Sequence, residues 1–220
     1  MDLKHPLRSI VPSLDWAVLE VLSGIQSGMG ASQIARLSQG GSRSGQATIL
    51  ERLVRHGLVV AEPANHGFLY RLNRDHLLAP AILLATGLRT QLLELLASEV
   101  AALTPAPVHA SVFGSFARGE GDAGSDIDLL VLSASESDTA AWEDQISGLQ
   151  ERLERRTGNR CACMIFSVDR VRQFATDGEP IVENWISDGL LLTGSALALL
   201  LDDTVLAPAR PRHAARMRSQ

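Results

Sequence analysis

Long apolar runs, cysteine and net positive charge are all scarce in this chain of 220 residues. The longest apolar run, Leu190 to Leu201, is too short to span a bilayer and is interrupted by Gly194-Ser195. The N-terminal stretch MDLKHPLRSIVPS has no apolar centre of the kind a secretory leader needs. These two absences lead us to expect a cytoplasmic protein without membrane contact. Only Cys161 and Cys163 are present, too few for a structural zinc site. As i, i+2 neighbours in an apolar run they share one face of a strand, and they read as reduced thiols used as small hydrophobes. A net charge of −5 excludes a general polyanion binder.

What is present is ordinary for a globular chain: 45% hydrophobic and 20% charged residues, enough for one large or two small domains. The charge is uneven. Residues 1–76 hold eight Lys/Arg against six Asp/Glu, a balance of +2, and the remainder carries −7. Such asymmetry suggests different partners for the two halves.

The most informative stretch is Val112 to Leu132, VFGSFARGEGDAGSDIDLLVL. An apolar run meets Gly114-Ser115, small polar residues follow, and Asp126 and Asp128 head a second apolar run. Side chains alternate along a strand, so these two carboxylates face the same way. Two like charges so close resist ionising together unless a cation lies between them. Hard oxygen ligands suit Mg²⁺ or Mn²⁺ shared with substrate phosphates. Glycine permits close backbone approach, and free N–H groups after it suit phosphate oxygens.

This string resembles the signature of the nucleotidyltransferase superfamily of the DNA polymerase β type, in particular its minimal nucleotidyltransferase branch. Gly114, Ser115, Asp126 and Asp128 stand where that family has its motif, and Arg118 and Ser125 where the branch has them. The resemblance implies metal binding and catalysis by Asp126 and Asp128. It implies nucleotide contact by Gly114, Ser115, Arg118 and Ser125, with a nucleoside triphosphate as ligand or substrate. It also implies a third carboxylate on the later strand. By register from Thr157-Gly158-Asn159-Arg160 that position falls at Ala162, which has no ligand atom; Asp169 lies beyond the expected end of the strand, and Glu179 or Glu183 could fold back to replace it.

The first 76 residues read as helix, helix, turn, helix and hairpin. Ser13 is placed as an N-cap, Ile34 and Leu37 face inward, and a helix over Ser44 to His56 buries Ala47, Leu50, Leu53 and Val54 before stopping at Gly57. The string TILERLVRHGLVVAEPANHGFLYRLN looks like the recognition helix and wing of a winged helix-turn-helix regulator. That resemblance implies double-stranded DNA as partner, with the third helix in the major groove. The expected contacts are Arg43, Ser44, Gln46, Arg52 and Arg55 on the helix and His66 and Arg71 on the wing, with Ser42 and Thr48 as further outward donors.

Residues 77–104 read as a linker helix, or alternatively as the seam of a homodimer. Thr104-Pro105-Ala106-Pro107 marks the boundary to a nucleotidyltransferase-like domain over 105–203, and 204–220 is a basic flexible tail. The expected class is α/β (α+β), with a mixed sheet flanked by helices. Two functions fit. One is a DNA-binding transcription regulator whose second domain binds Mg²⁺–NTP with weak or no turnover. The other is an active nucleotidyltransferase acting on a hydroxyl of a protein, as antitoxins of the branch do to a toxin partner, or of an RNA or small molecule.

Overall fold

The structure is a computed structural model that describes residues 1–38 and 42–201, apart from the side chain of Arg43. The expected basic tail from residue 204 and most of the turn before the third helix therefore lie outside the described residues.

A 3₁₀ turn at Pro6–Ser9 precedes α1 (Asp15–Ser23), β1 (Met29–Gly30), α2 (Ala31–Leu37) and α3 (Arg43–Arg55). Then β2 (Val59–Ala64) and β3 (Gly67–Leu72) form a hairpin. The sheet order is β1-β3-β2, all antiparallel. This is the winged-helix arrangement: three helices with a short sheet closing one end. Its core is Leu7, Val18, Leu22, Ile34, Leu50, Leu53, Val59 and Leu72. Gly57, with φ +74°, ends α3 in the left-handed region that glycine enters without penalty.

Three local expectations are corrected here. The N-cap of α1 is Leu14, not Ser13, whose hydroxyl instead hydrogen-bonds the Asp15 carboxylate. Leu37 is 47% exposed, because it is the last residue of a two-turn helix whose buried position is Ile34. The inward face of α3 is set by Gln46, Leu50 and Leu53; Ala47 is exposed, one residue round the helix from Gln46.

The segment after β3 is not one helix. α4 (Ala79–Thr86) and α5 (Leu88–Ala101) meet at Gly87 with a bend of 56°. The reason lies in burial. Ile82 and Ala85 of α4 pack in the helical core just described, whereas Leu92, Leu96 and Val100 of α5 pack under a second sheet. No single helix among the described residues is long and apolar enough to cross a membrane.

The second sheet contains β4 (His109–Phe113), β5 (Ile127–Ser133), β6 (Cys161–Ser167) and β7 (Leu190–Gly194), in the order β6-β5-β4-β7. Between them lie α6 (Gly114–Ala117), α7 (Glu136–Ala141), α8 (Glu143–Thr157), α9 (Val168–Thr176) and α10 (Pro180–Asp188), with α11 (Leu197–Leu201) after β7. α7 and α8 are divided at the buried Trp142, which caps α8 and donates its indole N–H to Pro105 O at 2.8 Å. β5 pairs parallel with β6 and antiparallel with β4, so the sheet is mixed. Alternation divides β5 between two cores. Ile127, Leu129 and Val131 face α5 and α8, and Leu130 and Leu132 face the helices α9 to α11. By the same parity Asp128 belongs to the α9–α10 side.

Candidate functional site

The site forms where β4 and β5 pass side by side. Phe113 pairs with Asp128, so the chain leaving β4 crosses directly over the Asp128 carboxylate. Gly114 takes φ +72° there, and a Cβ at that position would fall 2.5 Å from Asp128 Oδ2. Both facts demand glycine: the conformation is left-handed and the space is already filled. A single helical turn, α6, carries Ser115 half-buried beside this crossing and ends at Arg118.

The loop after α6 is internally cross-braced. Asp122 Oδ1 accepts from Gly124 N at 2.9 Å and from Ser125 Oγ at 3.0 Å, and Ser125 Oγ accepts from Asp122 N at 2.9 Å. The Gly124 and Ser125 bonds hold the Asp122 carboxyl below the usual range. In this state Ser125 shapes the loop that delivers Asp126.

Asp126 and Asp128 lie two residues apart and share a face. Burial first, and the Asp126 carboxylate second, push the Asp128 carboxyl above its ordinary value, with Arg118 and Arg160 pulling the other way. Arg160 Nη1 stands 3.8 Å from Asp126 Oδ2; with the two side chains 74% and 40% exposed, that pair is worth little. The guanidinium of Arg118 is claimed by two other acids, Asp188 at 2.7 Å and Glu120 at 2.9 Å. Its contacts, Asp188 foremost, favour the charged form of Arg118 and lower the Asp188 carboxyl.

The raised Asp128 carboxyl has a consequence for stability. Its protonated form is the one the fold favours, so its contribution is complete in acid and is lost as pH rises through the raised folded value. Asp128→Asn is therefore expected to melt higher than the parent at pH 7, with the gap closing toward pH ~4, where aspartates become protonated. Asp128 is only partly buried, so screening keeps the gain below about 1 kcal/mol, or ~2–4 °C. Calorimetric melts across this range check it; a variant that melts lower at pH 7 and equally at pH 4 would reverse the sign.

The donor set decides what cation fits. Asp128 pairs with Ala162 across the parallel β5–β6 ladder. Ala162 offers no oxygen, and its neighbours Cys161 and Cys163 turn to the other face, with their Sγ atoms 3.9 Å apart. Contact with Cys163 and burial push the Cys161 thiol far up, as befits a core hydrophobe. Among the described residues no cluster of three or more His, Cys, Asp or Glu is gathered for a metal. Two carboxylates under mutual repulsion fit one hard divalent cation that completes its shell with phosphate and water oxygens. They do not fit a pair of metals held by protein.

Asp188, Glu120 and Asn159 were not singled out from sequence. Asp188 lies 70 positions from Arg118, and only the β7-on-β4 pairing brings the end of α10 alongside α6. No spacing rule would have found it.

On the winged helix the expected DNA contacts separate. Ser42 caps α3, its Oγ accepting from Gly45 N at 3.1 Å. Ser44, Thr48, Arg55 and, on the wing, His66 are exposed. Gln46, expected outward, is 3% exposed and donates to Ser38 Oγ at 2.8 Å, because it occupies the buried stripe of α3. Arg52 is ion-paired with the buried Asp15 of α1, and Arg71 Nε donates to Glu62 at 2.9 Å within the hairpin. The side chain of Arg43 lies outside the described set.

Residues 93–177 match the family model described as a nucleotidyltransferase domain. That stretch contains Gly114, Ser115, Arg118, Ser125, Asp126, Asp128 and Ala162; Asp188 lies beyond it. No curated protein and no solved structure matches the chain.

Proposed function

We propose that this protein is a DNA-binding regulator whose nucleotidyltransferase-fold domain holds a Mg²⁺–nucleoside triphosphate and turns it over slowly or not at all. The observation that carries the reading is Ala162 standing directly beside Asp128. Asp126 and Asp128 would hold one Mg²⁺ or Mn²⁺, which supplies charge neutralisation to the triphosphate. Ser115 and the backbone after Gly114 would offer hydrogen bonds to its phosphate oxygens. Arg118 reaches them by exchanging Asp188 or Glu120 for phosphate. Among the described residues no third carboxylate joins the first two in a metal-binding group. The lost transition-state stabilisation costs a factor of ten for each ~1.4 kcal/mol.

Calorimetric titration with Mg²⁺–ATP and Mg²⁺–GTP tests the nucleotide half. The parent is expected to bind at least one, and Asp126→Ala with Asp128→Ala to bind it at least ~100-fold more weakly, about 2.7 kcal/mol. Incubation with α-labelled ATP and GTP in host-cell lysate then asks for transfer. Binding without transfer supports a sensor, and absence of binding by the parent ends the reading. Label on a protein, RNA or small molecule that needs Asp126 establishes the second reading, an active transferase. The intact Gly114 crossing over Asp128 favours that rival.

The DNA half rests on the winged-helix arrangement, the capped α3 and the exposed Arg55 and His66. Arg55→Glu with His66→Glu is expected to weaken binding to a pool of mixed-sequence duplexes by ~10-fold at ~0.1 M salt, and to flatten the salt dependence. Unchanged affinity and slope would remove this face from consideration. Operator binding of this kind usually employs a dimer, and a toxin-like partner belongs to the transferase alternative.

A further inference from the structure

The loop that carries the candidate site is tied at both ends to the two segments that cross between the cores. Its front end is α6. Arg89, in the first turn of α5 just past the Gly87 bend, donates from Nη2 to Phe116 O at 3.1 Å and Ala117 O at 3.2 Å. Its guanidinium also lies 5.3 Å from the centroid of the Phe116 ring. The turn bearing Gly114 and Ser115 thus ends on the bend that joins α4 to α5.

The rear end is Gly121 to Ser125. Leu3 is buried in the core under the second sheet, and Lys4 N donates to Gly121 O at 2.6 Å. A Cβ on Gly121 would lie 3.1 Å from Leu3 Cβ, so strap and loop are in close contact. From the other side the buried Asn159 donates Nδ2 to Ser125 O at 3.0 Å and to Ala123 O at 3.4 Å. A few residues on, the same strap enters the helical core. His5 Nδ1 sits 2.8 Å from Glu20 Oε2, its ring is 4.5 Å from that of Trp16, and Leu7 is buried. The helix bearing Glu20, α1, also bears Asp15, the partner of Arg52 on α3.

A loop tied at one end admits a ligand by moving locally. Tied at both, it transmits displacement to the bend, the strap or both. We propose that the 114–125 loop is a coupling element: a triphosphate seated at Ser115, Asp126 and Asp128 shifts Arg89 and the Leu3–Lys4 strap together, so that α1 and α3 respond to occupancy. This rests on the nucleotide half of the function proposed above. By linkage, a ligand on α3 would alter nucleotide affinity by the same factor.

Hydrogen–deuterium exchange on the full chain, with and without saturating Mg²⁺–ATP, tests it. Exchange in the parent is expected to change at least ~3-fold in residues 3–9 and in α1 as well as in 114–125. Arg89→Gln and, separately, Leu3→Ala should keep the change at 114–125 and lose most of the remote one. Thermal melts confirm folding, and Arg89→Gln, which leaves both cores intact, serves if Leu3→Ala does not fold. A parent that binds ATP and responds only at 114–125 overturns the coupling while the nucleotide reading stands. A remote response equal in parent and variants overturns the two anchors. Absence of ATP binding and of any change at 114–125 overturns the nucleotide reading and the coupling with it.

Discussion

Ala162→Asp is expected to give the largest gain of any single change. The position pairs with Asp128 across the parallel ladder and lies on the same face, so an aspartate there joins Asp126 and Asp128. Without a divalent cation the third charge adds repulsion to a carboxyl that already titrates high. The variant should therefore melt about 2–6 °C below the parent in chelator, the effect of roughly 1–2 kcal/mol in a chain of this size. Millimolar Mg²⁺ or Mn²⁺ should restore most of that loss, because a ligand that binds only the folded state stabilises it. Label transfer from α-labelled nucleotide should rise at least ~10-fold, about 1.4 kcal/mol of barrier. Melting that no divalent ion rescues would mean that the three side chains do not converge. Rescue without any gain in transfer would place the defect in acceptor binding instead of metal support.

Gly114→Val is expected to cause the largest loss. Valine at φ +72° is strained, and its Cβ would press against Asp128 Oδ2. Strain of this kind costs about 1–3 kcal/mol, a fall of ~3–10 °C in melting temperature. Relief requires the Asp128 carboxylate to move from its place under the crossing, so Mg²⁺-dependent nucleotide binding should fall to background. Gly119→Ala is the matching control. Gly119 has nearly the same φ, +74°, but the nearest atom to its added Cβ is Arg89 Nη2 at 4.0 Å. It should lose stability while retaining the nucleotide. If both variants bind normally, the crossing over Asp128 has no part in the site.

The contrast between these residues shows how the molecule divides between what is local and what is not. The Gly114-Ser115 and Asp126-x-Asp128 string was legible because strand parity and glycine's conformational freedom act within a few residues. The same holds for the start of β6 at Cys161, set by the Gly158 turn, whereas the sheet decided that Ala162 stands opposite Asp128. The order of three helices and a hairpin was legible from helical periods and a turn rich in Pro, Asn and Gly, but which residues face out was not. Gln46 and Ala47 are one position apart on α3, and only the packing of α2 against it selected the amide for burial.

What tertiary structure alone decided concerns partners distant in sequence. An exposed arginine and an arginine held by a carboxylate look alike in a sequence. Arg52 meets Asp15 and Arg118 meets Asp188 because α1 crosses α3 and β7 returns beside β4. The break of residues 77–104 at Gly87 was likewise not marked by periodicity, because apolar residues dominate on both sides of it. It follows from two cores competing for one segment, each taking the turns nearest to it. By itself the sequence supplied a pair of carboxylates on one strand face and an alanine, Ala162, where the resemblance implies a third. The attachment of the 114–125 loop to both crossing segments arises only when the strap of Leu3 and the helix of Arg89 are brought to its two ends, because those contacts join residues with no common local pattern.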